Sequence, residues 1–399
     1  MTDSPVPRQC PVCAGTTRHV VFRQRFAAIE TATPVTGYDV VVCGRCGAAY
    51  ADGIPDQSAF DRYYRDVSKY EYAQREGAES DYDRRRLTLI ADVIVPHLRS
   101  PDVRVLDVGC ASGRLLANLR DRGYSRVTGL DPSPVCAATA ARLYSVEVRT
   151  MTVHELAAAK EEFDFVVMVG VLEHLRDLDD VLASIVTLLS PTGLLYVEVP
   201  DVTAFADWPN APYQDFSTEH INFFSPVSLD NVLNASGLSR VFLEQNHREQ
   251  SYRTVMSNIS ALYRNHQQAP RRDLQFDSAS VQGLKRYVSQ CEALDRSLQS
   301  KIDMVVDRQR PLIVWGVGTH TSRLLATSRL GDADIVAFVE SNSRYHGKTL
   351  HGRPIIAPQA LTDHDEPILI SSRVFEREIA DQIRNDLKCT NELILLYNV

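Results

Sequence analysis

The sequence lacks the features that would place the chain in a membrane or on a nucleic acid. No apolar run approaches the ~18–20 residues that a transmembrane helix needs, and the start, MTDSPVPRQC, lacks the apolar core of a signal peptide. Positive charge is scarce, with 43 Lys and Arg against 51 Asp and Glu and a net charge of −8. Because clustered Lys and Arg carry affinity for phosphate backbones, this composition disfavours a general nucleic-acid binder. We therefore expect a soluble, cytoplasmic protein without membrane or nucleic-acid partners.

The chain is too long for one ordinary domain. Its 399 residues are 44% hydrophobic, which is enough apolar material to bury two or three cores. We expect two or three domains, in a monomer or a small homo-oligomer.

Four of the eight cysteines form two CxxC pairs near the N-terminus. The pairs are Cys10 with Cys13 in CPVC and Cys43 with Cys46 in CGRC. Two intervening residues let both thiolates of a turn reach one tetrahedral ion, so the pairs favour a four-sulfur Zn²⁺ site over disulfides. The gap between the pairs exceeds the ~15–20 residues of the commonest spacing, which predicts a hairpin insertion. A four-cysteine site has no open coordination position, and the zinc is expected to be structural.

Residues 103–200 alternate between short apolar runs and helix-length segments. The runs VRVLDVG, RVTGLD, FDFVVMVG and GLLYVEVP have the length of buried strands. Strands that alternate with helices are typical of a doubly wound α/β domain. Ligands bind such a sheet beyond the carboxyl ends of its strands, so functional side chains are expected where each run ends.

The first run leads into a glycine-rich turn, GCASG. Asp107 ends the strand, and Gly109 and Gly113 let the backbone fold tightly beneath a ligand. Backbone N–H groups at the start of the next helix favour a carboxylate or a phosphate. Asp131 closes the second strand, where a carboxylate can accept hydrogen bonds from ribose hydroxyls. A later run leads into the turn VLEHL, which contains His174.

These motifs, in this order and spacing, resemble those of class I S-adenosylmethionine (SAM)-dependent methyltransferases over about residues 80–240. The resemblance implies that SAM is the cofactor. It implies that the methionine part of SAM lies against Asp107, Gly109 and Gly113, and that Asp131 binds the ribose.

The same resemblance extends to the other end of the cofactor. It implies that Met151 and Thr152 lie against the adenine, and that His174 lies near the cofactor without carrying a proton. Ala111 departs from the family pattern, in which glycine is usual, but its methyl group is small enough to be compatible with SAM binding. Taken one at a time, each residue also has a purely structural explanation: Asp131 would cap a helix, and His174 would make a local hydrogen bond.

The segment DFSTEHINFFS, residues 215–225, follows the last strand of this region after a loop with prolines and aromatic residues. Such a loop is typical of segments that frame a substrate cleft. Glu219 precedes His220, and a neighbouring carboxylate can hold a histidine near the working pH as a proton acceptor. The pattern favours a His220 that contacts substrate or accepts a proton over one that only packs.

The order of these parts resembles the three-domain sugar C-methyltransferases of deoxysugar biosynthesis, over nearly the whole chain. The fold class implied is α/β, with a central Rossmann-like SAM methyltransferase domain, an N-terminal zinc-ribbon module and a C-terminal Rossmann-like domain. We place the zinc-binding module and its connecting helices at 1–75, and the methyltransferase domain at 76–250. A helical linker is expected at 251–309 and the C-terminal, substrate-assisting domain at 310–399.

This second resemblance implies a substrate and a chemistry. The family acts on a nucleotide-linked 4-keto sugar, and the histidine of its EH pair takes the proton next to the ketone, so that an enolate attacks the SAM methyl group. Carried over, His220 is the base. Glu219, Tyr213 and a tyrosine of residues 63–72, with Tyr70 as the candidate, orient it or donate to the keto oxygen.

Two departures leave the sugar and the methylated atom open. The stretch between the cysteine pairs lacks the family's Leu-Gly and Pro-Leu-Ala-Asn segment. In HREQSYR, residues 247–253, Glu249 and Gln250 replace glycines that permit close backbone approach to a ligand. Ser251 and Arg253 remain as candidate substrate-binding residues, and Arg253 can bind a phosphate.

A second strand, glycine turn and helix begin at residue 311. Gly316 and Gly318 lie at the turn, and Glu340 ends the next strand, in a Rossmann-like order. Thr321 stands where a dinucleotide fingerprint has its third glycine. The sequence therefore favours a domain that keeps this topology and lends loops to the substrate site over one that binds a dinucleotide.

Three other functions stay open on the sequence. The first is O- or N-methylation of a sugar or natural product, because the same base serves either acceptor. The second is a zinc-containing RNA or protein methyltransferase, although the negative charge and the absence of an aromatic-plus-basic strand pattern count against RNA. The third is a binding protein that senses SAM without catalysis.

Overall fold

The protein folds as an α/β chain with three sheets. The computed structural model describes residues 7–29, 34–67, 78–208, 210–251, 254–266 and 273–397. Within these residues the sheets have four, seven and six strands in chain order. This arrangement confirms the predicted fold class. In the described ranges, no helix has both the length and the apolar character needed to cross a bilayer.

The N-terminal module is a small antiparallel sheet followed by a helix. Its elements are β1 (Arg18–Arg25), β2 (Gly37–Cys43), β3 (Ala49–Asp52) and α1 (Gln57–Val67). β1 pairs with β2 and β2 pairs with β3. The β1–β2 hairpin lies between the two cysteine pairs, as their long spacing predicted. The fourth strand of this sheet comes from Asn222–Phe223, far along the chain, and pairs with β3.

The central sheet is a seven-stranded, mainly parallel sheet. Its strands are β4 (Val105–Val108), β5 (Val127–Leu130), β6 (Val148–Arg149), β7 (Phe163–Val169), β8 (Leu189–Pro200), β10 (Leu238–Ser251) and β11 (Thr254–Asn265), with Asn222–Phe223 as β9 of the first sheet. Its helices are α2 (Asp81–Ile94), α3 (Arg114–Asp121), α4 (Pro134–Tyr144), α5 (Val153–Ala158), α6 (Leu178–Leu188) and α7 (Pro226–Ala235). The order is β10-β11-β8-β7-β4-β5-β6. β11 runs antiparallel to both neighbours, whereas the contacts among β4 to β8 are parallel.

The structure differs from the predicted boundaries at residue 250. β11 pairs with β8, so the central sheet continues to Asn265, inside the stretch 251–309 for which the sequence predicted only a helical linker. The physical reason lies in both strands of the β10–β11 hairpin. β11 is largely buried, but Ser257, Asn258 and Ser260 interrupt its apolar residues. β10 is the edge strand and leaves most of its described side chains partly or fully exposed, so it carries no apolar run that would mark it as a strand.

A long helix connects the central sheet to the C-terminal domain. The elements that follow are α8 (Ser278–Val306), β12 (Leu312–Trp315), α9 (Thr319–Thr327), β13 (Ile335–Val339), β14 (Thr349–Leu350), β15 (Arg353–Ile356), β16 (Ile368–Ile370), α10 (Glu376–Asp381) and β17 (Leu393–Leu395). The sheet order is β14-β15-β13-β12-β16-β17, and only the β14–β15 pair is antiparallel. The strand, turn and helix predicted at residue 311 are therefore present.

One apolar cluster joins the N-terminal module, α8 and the loop before β9. It includes Tyr38, Phe216, Phe223, Leu284 and Tyr287, all of them buried. This packing holds the segment with the Glu-His pair against two neighbouring parts of the fold.

Candidate active site

The glycine-rich turn after β4 has the backbone that a bound cofactor needs. Gly109 and Gly113 have φ angles of 71° and 77°, a region that favours glycine. A Cβ atom added to Gly109 would lie 2.7 Å from the Cγ2 of Val171, closer than side chains approach. The backbone N–H of Gly109 donates to the carbonyl of Leu130 at 2.7 Å, which ties the turn to the end of β5. The left-handed backbone and the close approach of Val171 therefore explain glycine at position 109, and contact of Gly109 and Gly113 with the methionine part of SAM stays a prediction.

Asp131 holds this turn in place. Its carboxylate accepts hydrogen bonds from the N–H of Ala111 and the N–H of Ser133, each at 2.9 Å. Ala111 has a φ angle of 47°, which is left-handed, so the structure explains why glycine is usual there. Both carboxylate oxygens keep lone-pair capacity for further donors. A local capping role is thus present, and ribose binding stays a prediction.

Asp107 is a buried acid beside Asp131. It lies within β4, whose end meets the end of β5 at the same edge of the sheet. Desolvation, and after it the negative charge of Asp131, raise the pKa of Asp107 to about 8. A nearby cation stabilises the ionised form of such a carboxyl group, and SAM carries an ammonium group on its methionine part. The buried carboxyl group of Asp107 therefore fits the cofactor implied by the sequence.

The two residues predicted to face the adenine follow β6 at the same edge. Met151 is half-buried and packs on the main core. Thr152 is exposed and caps α5, with its hydroxyl accepting from the N–H of Glu155 while the Glu155 carboxylate accepts from the N–H of Thr152. Their contact with adenine stays a prediction.

His174 and Glu219 meet at the carboxyl end of β7. The Nδ1 atom of His174 lies 3.1 Å from the backbone oxygen of Glu219 and 2.9 Å from the hydroxyl of Tyr64. The carboxylate of Glu219 accepts a hydrogen bond from the hydroxyl of Tyr63 at 2.8 Å. Both Glu219 and His174 are buried, at 5% and 6% exposure. Helix α1 of the N-terminal module thereby supplies two tyrosines to this site.

His220 is held close to His174 by its backbone. The hydroxyl of Ser217 accepts from the N–H of His220 at 3.0 Å, and the N–H of Ile221 donates to the carbonyl of Glu173 at 2.8 Å. The imidazole rings of His220 and His174 are 4.9 Å apart and nearly perpendicular. His220 is half-buried, so its ring can reach a substrate.

The pairing of β9 with β3 fixes the segment from the other side. The N–H of Ala51 donates to the carbonyl of Ile221 at 2.9 Å, and the side-chain amide of Asn222 donates to the carbonyls of Leu172 and Leu175 at 2.8 and 2.7 Å. The segment that carries the Glu-His pair is thus hydrogen-bonded on one side to the N-terminal sheet and on the other to the turn after β7. Sequence reasoning missed this pairing, because a two-residue strand has no periodicity.

Tyr213 is not brought to this cluster by its described contacts. Tyr213 stacks on Phe22 with ring centroids 4.0 Å apart, and the guanidinium of Arg323 lies 4.6 Å from its ring centroid. Burial raises the pKa of Tyr213. Ser251 ends β10. Its role in substrate binding, like the catalytic role of Tyr213, stays a prediction.

Two further predicted residues, Tyr70 and Arg253, lie outside the described residues. The interpretation that a tyrosine of residues 63–72 approaches the Glu-His pair agrees with the positions of Tyr63 and Tyr64. The adjacent YY in the sequence was the available signal, but helical spacing alone does not tell which tyrosine of the region faces the site.

The four cysteines of the two pairs form one cluster. The Sγ atoms of Cys10 and Cys46 are 3.6 Å apart, as are those of Cys13 and Cys43, and all four lie within 4.8 Å of one another. A tetrahedral zinc with Zn–S bonds of about 2.3 Å separates its sulfurs by about 3.8 Å, so the cluster fits that ion. All four cysteines are free thiols.

The C-terminal turn differs from a dinucleotide fingerprint in its side chains. Thr321 forms a short hydroxyl–hydroxyl hydrogen bond with Ser371, which also donates to the carbonyl of Trp315 at 3.0 Å. Glu340 accepts from the N–H of Val317 at 3.4 Å, and burial raises its pKa. Thr321 therefore ties the helix to the neighbouring strand at the place of the third glycine.

Comparison with known proteins agrees with this architecture. Residues 75–241 match the family model described as a methyltransferase domain, and the chain contains a class I SAM-dependent methyltransferase domain. Residues 308–395 match the model described as C2185-like, N-terminal.

Two curated relatives cover different shares of the chain. The C-methyltransferase NovU of Streptomyces niveus is 25% identical over 350 residues, which are 84% of this chain and 79% of that protein. A ubiquinone biosynthesis O-methyltransferase of Rhizobium leguminosarum bv. trifolii is 34% identical over 153 residues, which are 34% of this chain and 59% of that protein. The chain thus spans about three fifths of the length of these O-methyltransferases.

A solved structure gives a weaker likeness. The 1,6-didemethyltoxoflavin-N1-methyltransferase of Burkholderia thailandensis is 20% identical, with a TM-score of 0.41, and the match covers 56% of this chain and 96% of that chain.

Proposed function

We propose that the protein transfers a methyl group from SAM to the carbon next to the ketone of a nucleotide-linked sugar, with His220 as the proton acceptor. The similarity to a C-methyltransferase across 84% of the chain supports this proposal, because it extends well beyond the methyltransferase domain of residues 75–241. The observation that carries it is the position of His220, half-buried and 4.9 Å from His174 at the edge where the cofactor turn lies.

The residues of the chain divide the chemistry between them. When bound, SAM supplies an electrophilic methyl group on a positively charged sulfur. His220 accepts the proton from the substrate carbon, and the electron pair of the C–H bond moves toward the keto oxygen. A hydroxyl that donates to this oxygen stabilises the charge that develops there. Tyr63 and Tyr64, both within hydrogen-bond reach of the Glu219–His174 pair, are the described hydroxyls closest to this role.

Labelled SAM and a panel of nucleotide-linked keto sugars test the proposal. We expect transfer of label to carbon with keto sugars and none with the same sugars reduced at the ketone. We also expect the proton next to the ketone to exchange with deuterated water in the presence of the enzyme.

A matched pair of histidine variants tests the base. The change His220→Asn is expected to slow both methyl transfer and proton exchange by roughly 10²–10⁴-fold, the usual size of a general-base contribution. His154→Asn is the control, because His154 is exposed and its Nδ1 atom is hydrogen-bonded, at 2.8 Å, to the hydroxyl of Ser184 on α6. Equal rates in the two variants would remove the assignment of His220.

O-methylation is the second candidate function. It is favoured by the higher identity, 34% over 153 residues, to proteins named as ubiquinone biosynthesis O-methyltransferases. That match covers only 34% of this chain, less than half the share that the C-methyltransferase covers. Label that appears on oxygen with a reduced sugar or a phenol would support this candidate over the first.

We propose that the four-cysteine cluster binds a structural Zn²⁺ ion. The spacing of the sulfurs and the free thiols support it. Metal analysis of the purified protein is expected to give one zinc per chain, and Cys13→Ser is expected to lower that content. Because β3 directly follows the second cysteine pair and pairs with β9 beside His220, zinc loss is also expected to lower activity. Full activity and unchanged thermal stability after complete chelation would contradict a structural role.

A further inference from the structure

A second group of side chains has the composition of a metal site, and it is separate from the four cysteines. Glu173, His174 and His220 each offer one ligand atom, and these three atoms lie within 4.8 Å of one another. Glu173 and His174 are 3% and 6% exposed, whereas His220 is half-buried. The cluster therefore has two buried ligands and one that is partly exposed to solvent.

The hydrogen bonding of His174 prepares it as a ligand. Its Nδ1 atom faces the backbone oxygen of Glu219 at 3.1 Å, and a carbonyl oxygen only accepts hydrogen bonds. The hydroxyl of Tyr64, 2.9 Å from the same atom, can accept as well as donate, so a proton on Nδ1 is compatible with both neighbours. This placement leaves a lone pair on Nε2. That Nε2 atom lies 3.9 Å from the Oε1 atom of Glu173. A metal-ligating histidine is typically oriented in this way, with its other nitrogen donating to a carbonyl or a carboxylate.

The backbone beneath the three ligands is rigidly supported. Glu173 and His174 lie in one 3₁₀ turn, Leu172–His174. The carbonyl of Glu173 accepts from the N–H of Ile221 at 2.8 Å, next to His220. The side-chain amide of Asn222 donates to the carbonyl of Leu172 at 2.8 Å. These hydrogen bonds join the turn after β7 to the start of β9, next to the three ligands. Because the backbone is fixed there, small rotations of side chains suffice to bring the ligand atoms together.

We propose that Glu173, His174 and His220 form a second metal site, for a divalent ion such as Zn²⁺ or Co²⁺. Two imidazoles and one carboxylate are a ligand set for these ions, whereas Mg²⁺ and Ca²⁺ favour oxygen ligands. The consequence of binding rests on the proposed function. The lone pair of His220 holds either a proton or a metal ion, so an occupied site blocks proton abstraction and inhibits the enzyme.

Cobalt binding to the zinc-loaded protein tests the site without any assay of activity. Co²⁺ bound by thiolates shows strong sulfur-to-metal charge-transfer absorption, whereas Co²⁺ bound by imidazole and carboxylate shows only weak visible bands. We expect one additional Co²⁺ per chain with the weak bands alone. We expect Glu173→Gln and His220→Asn each to weaken its binding by at least about 10-fold, the lower end of the loss that even an outer-sphere partner causes. His154→Asn is expected to bind Co²⁺ as the unmodified protein does.

The possible results separate this site from the proposed function. No additional Co²⁺, or an additional Co²⁺ whose affinity is unchanged in both variants, would overturn the site. Because Glu173 is buried and its substitution can disturb the fold, the half-buried His220 decides the matter, and retained binding of S-adenosylhomocysteine checks the fold of each variant. Cobalt binding without methylation of any keto sugar would keep the site and remove the proposed function. Methylation of a keto sugar without binding of the additional Co²⁺ would keep the proposed function and remove the metal site.

Discussion

Cofactor binding is expected to depend on pH through one buried carboxyl group, that of Asp107. Desolvation and the charge of Asp131 raise its pKa to about 8, so in the empty protein it is mostly protonated at neutral pH. The resemblance to SAM-dependent methyltransferases places the cationic methionine part of the cofactor beside it. If that ligand requires the carboxylate, its apparent affinity scales with the ionised fraction of Asp107.

The magnitude follows from the pKa. With a value of about 8, the ionised fraction is about 1% at pH 6 and about one quarter at pH 7.5, so the ligand should bind about 20-fold more tightly at the higher pH. The stability of the empty protein changes with pH in the opposite direction to the ligand affinity. A carboxyl group whose pKa is raised by folding contributes its stability at low pH, and that contribution is lost as the pH rises through about 8.

Calorimetry with S-adenosylhomocysteine between pH 6 and 7.5 measures the effect without turnover. In this range its α-ammonium group stays mostly protonated. Repeating the titrations in buffers of different ionisation enthalpy counts the proton released by Asp107. The control is Asp107→Asn, which has no proton to release and whose affinity should stay within about twofold over the range. An affinity of the unmodified protein that is flat, or that changes with pH as steeply as in the variant, would refute the reasoning.

Three further predictions concern local contacts. Ala111→Gly is expected to raise the free energy of unfolding by roughly 0–1 kcal/mol, because relief of a left-handed alanine, about 1–2 kcal/mol, exceeds the entropy that glycine adds to the unfolded chain; a loss above about 1 kcal/mol in urea titrations would contradict it. Tyr63→Phe removes the hydrogen bond to Glu219 and is expected to lower kcat/KM about 10- to 100-fold, and a change within twofold would show that the bond does not matter. Arg323→Met leaves Asp295 buried without its partner at 2.8 Å and is expected to cost about 3–5 kcal/mol in thermal unfolding, partly recovered by Asp295→Asn in the same chain.

Much of the cofactor edge could be predicted because its signals are local. Asp107 and Asp131 each end an apolar run, and parallel strands bring such ends together whatever the rest of the chain does. The two-residue spacing within each cysteine pair predicts that both thiolates face one ion, and the structure brings all four sulfurs together. In both cases the nearest few residues determine the local conformation, and the fold class then sets the neighbours.

The substrate side could be predicted less well, because tertiary contacts determine it. The pairing of β9 with β3 depends on residues far apart in the chain and leaves no periodic pattern. Tyr213 lies in a loop, where no periodicity sets the direction of a side chain, and its contacts with Phe22 and Arg323 join two other parts of the fold. The β10–β11 hairpin was missed because the edge strand β10 is polar and because polar residues interrupt the apolar ones of β11.

The position of the transferred methyl group tests the central claim most directly. The protein would be incubated with SAM that carries a ¹³C-methyl group and a nucleotide-linked 4-keto sugar, and the product examined by carbon–proton correlation NMR. The account predicts a new carbon–carbon bond at the position next to the ketone, formed by the unmodified protein and by His154→Asn but slowed in His220→Asn. A methyl group on oxygen or nitrogen, or one placed on carbon at the same rate by His220→Asn, would contradict it.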